Sequence, residues 1–250
     1  MTRPKTLHRW LAILLSLVLV MGMMPAKVFA ADDRATHTGT DGHTTTLQDG
    51  TSAAIPGEGT EESPYQIGTA QQLMDFAALV NAGNNGAYAV LTADIDMSSQ
   101  SWAGISGNGS YTGVFDGKGY TISNLTGTEG LFVNNAGTVK NVWLKNVSLT
   151  KEGGNLGAVV GMNTGTVFNC VSSGSITGTG SEAYSIGGLV GHNNGGTLSG
   201  SASSCTVRGS TAGGLTGSNW NKSSSNYGKI IACIYTGTAS KPVEGDRRYG

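Results

Sequence analysis

From residue 100 onward, apolar residues recur in short alternating runs broken by glycine and asparagine. Val142 and Leu144 alternate as one short strand, and Val147 and Leu149 as another. Asn146 lies between them, where a bend falls. Four segments align on one pattern: GLFVNNAGTVKNV from Gly130, AVVGMNTGTVFNC from Ala158, GLVGHNNGGTL from Gly188 and GLTGSNW from Gly214. Their starts are 28, 30 and 26 residues apart, and the last carries an insertion, NKSSSNY, before GKIIAC. A period of this size marks stacked supersecondary units. Short strands joined by Asn/Gly corners predict the coils of a parallel β-helix. Each coil pairs its backbone groups with the next, about 4.8 Å away, so neighbours stabilise one another. Corners need φ > 0, which glycine supplies and asparagine tolerates next best.

The period changes ahead of the coils. Leu73, Phe76, Ala77 and Val80 recur at helical spacing. Thr69 and Gln72 form a capping box at the start, and Gly83 is the stop. These signals predict one helix over 70–82, preceded by the short strand YQI and followed by strand character from Tyr88. Its apolar face can cover the first coil. The predicted organisation is an export segment over 1–30 and a flexible lead-in over 31–62. A strand–helix–strand cap follows over 63–100, then a β-helix over 101–240 and a tail over 241–250. The other end shows no second cap, and terminal repeats need one. The chain is therefore expected to be the front part of a longer polypeptide.

The first thirty residues read as a signal peptide. Arg3, Lys5 and Arg9 precede an apolar run from Leu11 to Met24, and Val28-Phe29-Ala30 suits cleavage between Ala30 and Ala31. That run is shorter than the roughly 20 residues a membrane-spanning helix needs. The expected location is secreted or cell-surface, with no membrane contact after cleavage. Composition narrows the class further. Glycine contributes 40 of 250 residues and charged residues only 12%. No G-X-Y period supports collagen, and the charge is too low for a solvated disordered chain. The segment removed holds four of the 15 basic residues and no acid, so the mature chain is acidic. That argues against nucleic acid as a partner.

At this point the residues carry a resemblance. Gly188, Leu189, Val190 and Gly191, extended by Asn193, match the GLUG motif, in which U is hydrophobic. Gly214, Leu215 and Gly217 match it with a departure at Thr216; the copies from Gly130 and Ala158 depart at Val133 and Ala158. Upstream, SPYQIGTAQQLMDFAALVNAG, LTADIDM and YTGVFDGKGYTISNL look like the segment that precedes such repeats. Over roughly residues 57–240 the chain resembles the GLUG-motif repeat family of secreted and surface bacterial proteins. The resemblance implies an all-β fold, a right-handed parallel β-helix with one N-terminal capping α-helix. Such repeats accompany immunoglobulin A peptidases and adhesin-like proteins. The family supplies no shared catalytic residues.

The candidate chemistry is sparse. Asp94 and Asp96 share one face of a strand by period two and form the best carboxylate pair, without a basic partner nearby in sequence. Asp116 lies in an Asp-Gly turn, and Glu129, Glu152 and Glu182 fall in separate connections. His192 reads as a solvent-facing loop residue outside any Ser-His-acid set. His37, Asp41 and His43 lack a fixed geometry for a metal. Cys170 and Cys233 occupy equivalent positions two coils apart, too far for a disulfide, and read as interior apolar residues; Cys205 aligns with Gly174. Trp102, Tyr111, Trp143, Tyr184, Trp220 and Tyr227 fall outside the inward alternation, which makes Trp143 and Trp220 candidate exposed binding residues. The resulting expectation is a non-catalytic extracellular β-helix, adhesin-like or a spacer, without cofactor or metal. Its expected partners are surface glycans or extracellular proteins. The alternative is a carbohydrate-active β-helix of lyase or hydrolase type, or the leading part of a surface peptidase.

Overall fold

A computed structural model describes residues 55–180, 185–220 and 227–241. The export segment, the lead-in to residue 54, Tyr184, Glu182 and the tail beyond residue 241 lie outside the described residues, as do residues 221–226 of the insertion. The described chain winds into a parallel β-solenoid of about six turns with a single helix near its start.

One coil shows the path. It runs from Thr138–Lys140 through the long strand Trp143–Glu152 to Asn155–Gly157 and Val160–Asn163, and then into Thr166–Phe168 of the next coil. Among the described residues, stacking these stations produces four parallel sheets, of three, four, seven and nine strands. The register follows the sequence alignment: Val160 pairs with Phe132 and with Val190, and Val190 with Thr216. Inward columns form the core. Phe115, Val139, Val167 and Leu198 stack in successive coils and are fully buried. Each such side chain stabilises the fold by about 1.5–3 kcal/mol on burial.

The helix, α1, spans Ala70–Asn81. The Thr69 hydroxyl accepts from the Gln72 N–H at 3.2 Å. The Gln72 side chain reaches back one residue further than a standard capping box and accepts from the Gly68 N–H at 2.8 Å. Gly83, at φ 118°, closes the helix. Its N–H donates to Val80 O and that of Asn84 to Leu79 O, a Schellman arrangement. The face of Leu73, Phe76, Ala77 and Val80 is buried. The Phe76 ring lies 6.2 Å from Tyr65, 5.8 Å from Phe115 and 6.4 Å from Tyr111, so α1 closes the aromatic end of the core. Residues ahead of Tyr65 are also tied in, with Gln66 N–H donating to Pro56 O at 2.7 Å and Tyr88 N–H to Gly59 O at 2.8 Å.

One sequence expectation changes here. Trp102 and Tyr111 point inward, at 2% and 0% exposure. Their segment touches the sheets only through isolated bridges, so a period of two does not govern it. Each ring's polar atom finds a carbonyl: Tyr111 OH donates to Ala87 O at 2.7 Å and Trp102 Nε1 to Gly130 O at 2.9 Å. The motif glycines Gly188, Gly191, Gly214 and Gly217 are not at positive φ. At Gly188, Gly191 and Gly217 backbone passes too closely for a side chain, and at Gly214 the Tyr235 ring fills the space. A Cβ on Gly191 would lie 2.6 Å from Gly161 O and 2.7 Å from Leu156 N, and one on Gly188 would collide with Gly214 O. Positive φ falls at other positions, among them Asn124, Asn141, Asn146 and Asn169 and the glycines Gly174 and Gly200.

Candidate interaction site

Asp94, Asp96, Asp116 and Glu129 are occupied in structural bonds. Asn169 donates to Asn141 and Asn141 to Asp116, both at 2.8 Å. Asn146 donates to Asn124 at 2.7 Å and Asn124 to Asp96 at 2.8 Å. In each outer ladder the amides donate toward the N-terminal coils, so the last position needs only an acceptor. A carboxylate, which has acceptors alone, fills it. Asp116 also accepts from the Lys118 N–H and lies 3.4 Å from Lys118 Nζ and 3.6 Å from Lys140 Nζ. Burial pushes its carboxyl up, but the bonds from Asn141 and Lys118 and the two lysine charges outweigh this and hold it below the ordinary range. The bonds from the Asn124 side chain and the Ser98 N–H likewise lower Asp96. Asp94 accepts from the Thr121 N–H at 2.7 Å. Asp94 and Asp96 thus flank the buried Ile95 and accept bonds from the next coil, Asp96 also accepting from the Ser98 N–H of its own turn.

A third ladder, absent from the sequence reading, runs inside. Asn135 donates to Asn163 at 2.8 Å, Asn163 to Asn193 and Asn193 to Asn219 at 2.9 Å each, and Asn219 to Gly228 O. Asn193 is therefore part of the polar interior. Leu189 and Val190 are fully buried and Leu215 packs against the core, so the motif residues build the coil. Another missed contact is the ion pair of Lys151 with Glu129 at 2.6 Å, whose second oxygen has no partner.

The cysteines are all free, with Cys170 and Cys205 buried. The Sγ atoms of Cys170 and Cys233 sit at equivalent places, over Phe168 O and Ile231 O. Burial pushes the Cys170 thiol up to about 12 and raises Cys205 as well. Among the described residues no group of three or more His, Cys, Asp or Glu side chains could hold a metal ion.

Two outward features remain. Trp143, 39% exposed, shares one corner with exposed Phe168 and Val171, and with Ile231 and Ile234 further along. Trp220, 45% exposed, lies elsewhere, so the two tryptophans do not form one row. The indole of Trp220 stacks on His192 with centroids 5.8 Å apart and planes at 25°. His192 Nε2 lies 2.8 Å from Trp220 O. His192 therefore sits half-buried on the strand Val190–Asn193 and is not a loop residue. Its alignment with Ser218, two residues before Trp220, was the signal that the two could meet. Beside the pair opens a cleft of about 390 Å³ lined by Asn155, Ser185, His192, Thr211, Ser218 and Trp220. The Ser185 and Ser218 hydroxyls hydrogen-bond at 2.7 Å.

No family model matches the chain. Over 173 residues it is 39% identical to halomucin from Haloquadratum walsbyi (strain DSM 16790 / HBSQ001), a match that covers 59% of this chain. The chain spans about 2% of halomucin's length. In three dimensions it is similar to a Bacteroides ovatus protein provisionally described as an immunoglobulin A1 protease. That match has a TM-score of 0.53 and 21% identity, and covers 71% of this chain and 76% of the other. The chain is thus similar in sequence to a short stretch of halomucin and shares a parallel β-solenoid fold with the Bacteroides protein.

Proposed function

We propose that the chain is an extracellular β-solenoid module of the GLUG-repeat type, adhesive or a spacer, that works by presenting outward side chains on rigid coils. The observation that carries this reading is the 39% identity to halomucin, a protein named as a mucin. The ladders add physical support. Asp96 and Asp116 accept amide bonds at the ladder ends, and Glu129 is paired with Lys151. Catalysis needs a positioned acid, base or metal facing substrate, whereas these carboxylates hold corners together.

The fold likeness to a protein described as an immunoglobulin A1 protease favours a second reading, the leading part of a surface peptidase. Its catalytic groups would then lie in further chain. Both readings require export. Surface labelling of intact producing cells and N-terminal sequencing of the released chain test it, with Ala31 expected as the first residue. Retention inside the cell with Met1 intact overturns the proposal. Turnover of immunoglobulin or polysaccharide that disappears in Asp94→Asn or Asp96→Asn would replace a presenting module with an enzyme.

A further inference from the structure

The cleft beside Trp220 has a chemical selectivity of its own. Its lining contains an indole, an imidazole, three hydroxyls and a carboxamide, and no Asp, Glu, Lys or Arg. Such a lining has no fixed countercharge for an anionic or cationic ligand, whose desolvation would go uncompensated. Hydroxyls both donate and accept, so they fit a ligand whose polar groups do the same. The exposed indole offers a flat apolar face beside them. A ligand with one flat C–H face and a rim of hydroxyls matches both surfaces at once. The volume, about 390 Å³, falls within the range of small-molecule clefts, about 300–1,000 Å³.

The cleft is also held in place before any ligand arrives. Trp220 is fixed by its stack on His192 and by the hydrogen bond that its carbonyl accepts from the imidazole. Ser185 and Ser218 are bonded to each other, and Ser185 and His192 lie on strands paired into the solenoid. A ring and hydroxyls fixed in advance lose little freedom on binding. The site occurs at one station: the position of His192 is Asn134 and Met162 in the two preceding coils.

We propose that this cleft binds the ring of a neutral saccharide, stacked on Trp220 and hydrogen-bonded by Ser185, Ser218, Thr211 and Asn155. The proposal rests on the surface-module reading and specifies what such a module would grip. Purified chain is titrated with cellotetraose, mannotetraose, galactotetraose and N-acetylchitotetraose, with tetragalacturonate as the acidic control. Calorimetry and tryptophan fluorescence report binding. At least one neutral oligosaccharide should bind saturably in the millimolar range. Trp220→Ala should weaken it about tenfold or more, Trp220→Phe less so, and Ser218→Ala measurably. Trp143→Ala should leave binding unchanged, and the melting temperatures of the Trp220 variants should stay close to that of the parent. Absence of saturable binding to all four neutral sugars overturns the proposal, as does binding insensitive to Trp220→Ala or equal binding of tetragalacturonate. Those results leave the surface reading standing, because that reading is decided by export. An unexported chain that still binds sugar through Trp220 would remove the surface reading alone.

Discussion

The Asn163 carboxamide donates to Asn193 Oδ1 at 2.9 Å across two adjacent coils, and both side chains are fully buried. A buried amide is tolerated only when its donors and acceptor are all engaged. Asn163 also accepts from Asn135 and donates to Gly165 O, so one side chain links three coils and a turn. Removing it leaves Asn193 Oδ1 without its donor.

Asn163→Ala should therefore destabilise the chain by about 2–4 kcal/mol, the sum of a lost bond and stranded buried partners. Asn124→Ala, at an exposed corner ladder, should cost about 1 kcal/mol. Urea unfolding of the two variants measures the difference. Equal midpoints would show that the interior ladder carries no special weight.

Gly188→Val and Gly191→Ala should each cost about 1–3 kcal/mol by overpacking, since the added carbon meets backbone that cannot move aside. Gly86→Ala is the control. Its only neighbour within 4 Å is Thr112 Oγ1, at 3.8 Å. Thermal melts should separate the motif variants from the control, and a common melting temperature for all three would contradict the close-approach explanation.

Acid sensitivity should trace in part to Asp116. Its carboxyl in the folded chain is held below the ordinary value. Its contribution is therefore complete above the unfolded-state value of about 3.9 and is lost as pH falls through the lowered folded value. Asp116→Asn should be less stable at neutral pH by about 1 kcal/mol, with a flatter decline of melting temperature below about pH 4. Parallel curves for parent and variant would remove Asp116 from the account.

Thiol labelling should divide the cysteines by burial. Cys170 and Cys205 are buried with raised thiols, and Cys233 is only partly covered. Alkylation of the native chain at neutral pH should modify Cys233 first, with Cys170 and Cys205 reacting only on unfolding. Mass spectrometry of the labelled peptides reads the order. Rapid native labelling of Cys170 would contradict a closed interior column.

Much of the fold is legible because a solenoid repeats one translation. The offsets between Gly130, Ala158, Gly188 and Gly214 are the strand register itself. The helix is legible because capping and periodicity are local, down to Thr69 and Gly83. The interaction site is less so. Trp102 and Tyr111 lie where the chain is not regular strand, so alternation misplaces them. The third ladder needs four asparagines turned inward, and an alignment states which residues stack without stating which way they face.

The sequence by itself determined the period, the pairing of coils, the helix and its covering face, because each follows from local spacing and from translation along one axis. The tertiary structure decided which polar residues enter the core, why the motif requires glycine, and that His192 and Trp220 meet while Trp143 stands apart. Those outcomes depend on the cross-section of a coil. How sharply each corner turns and how closely facing strands pass are set by all the stations of the coil together, and no single segment of the chain contains that information.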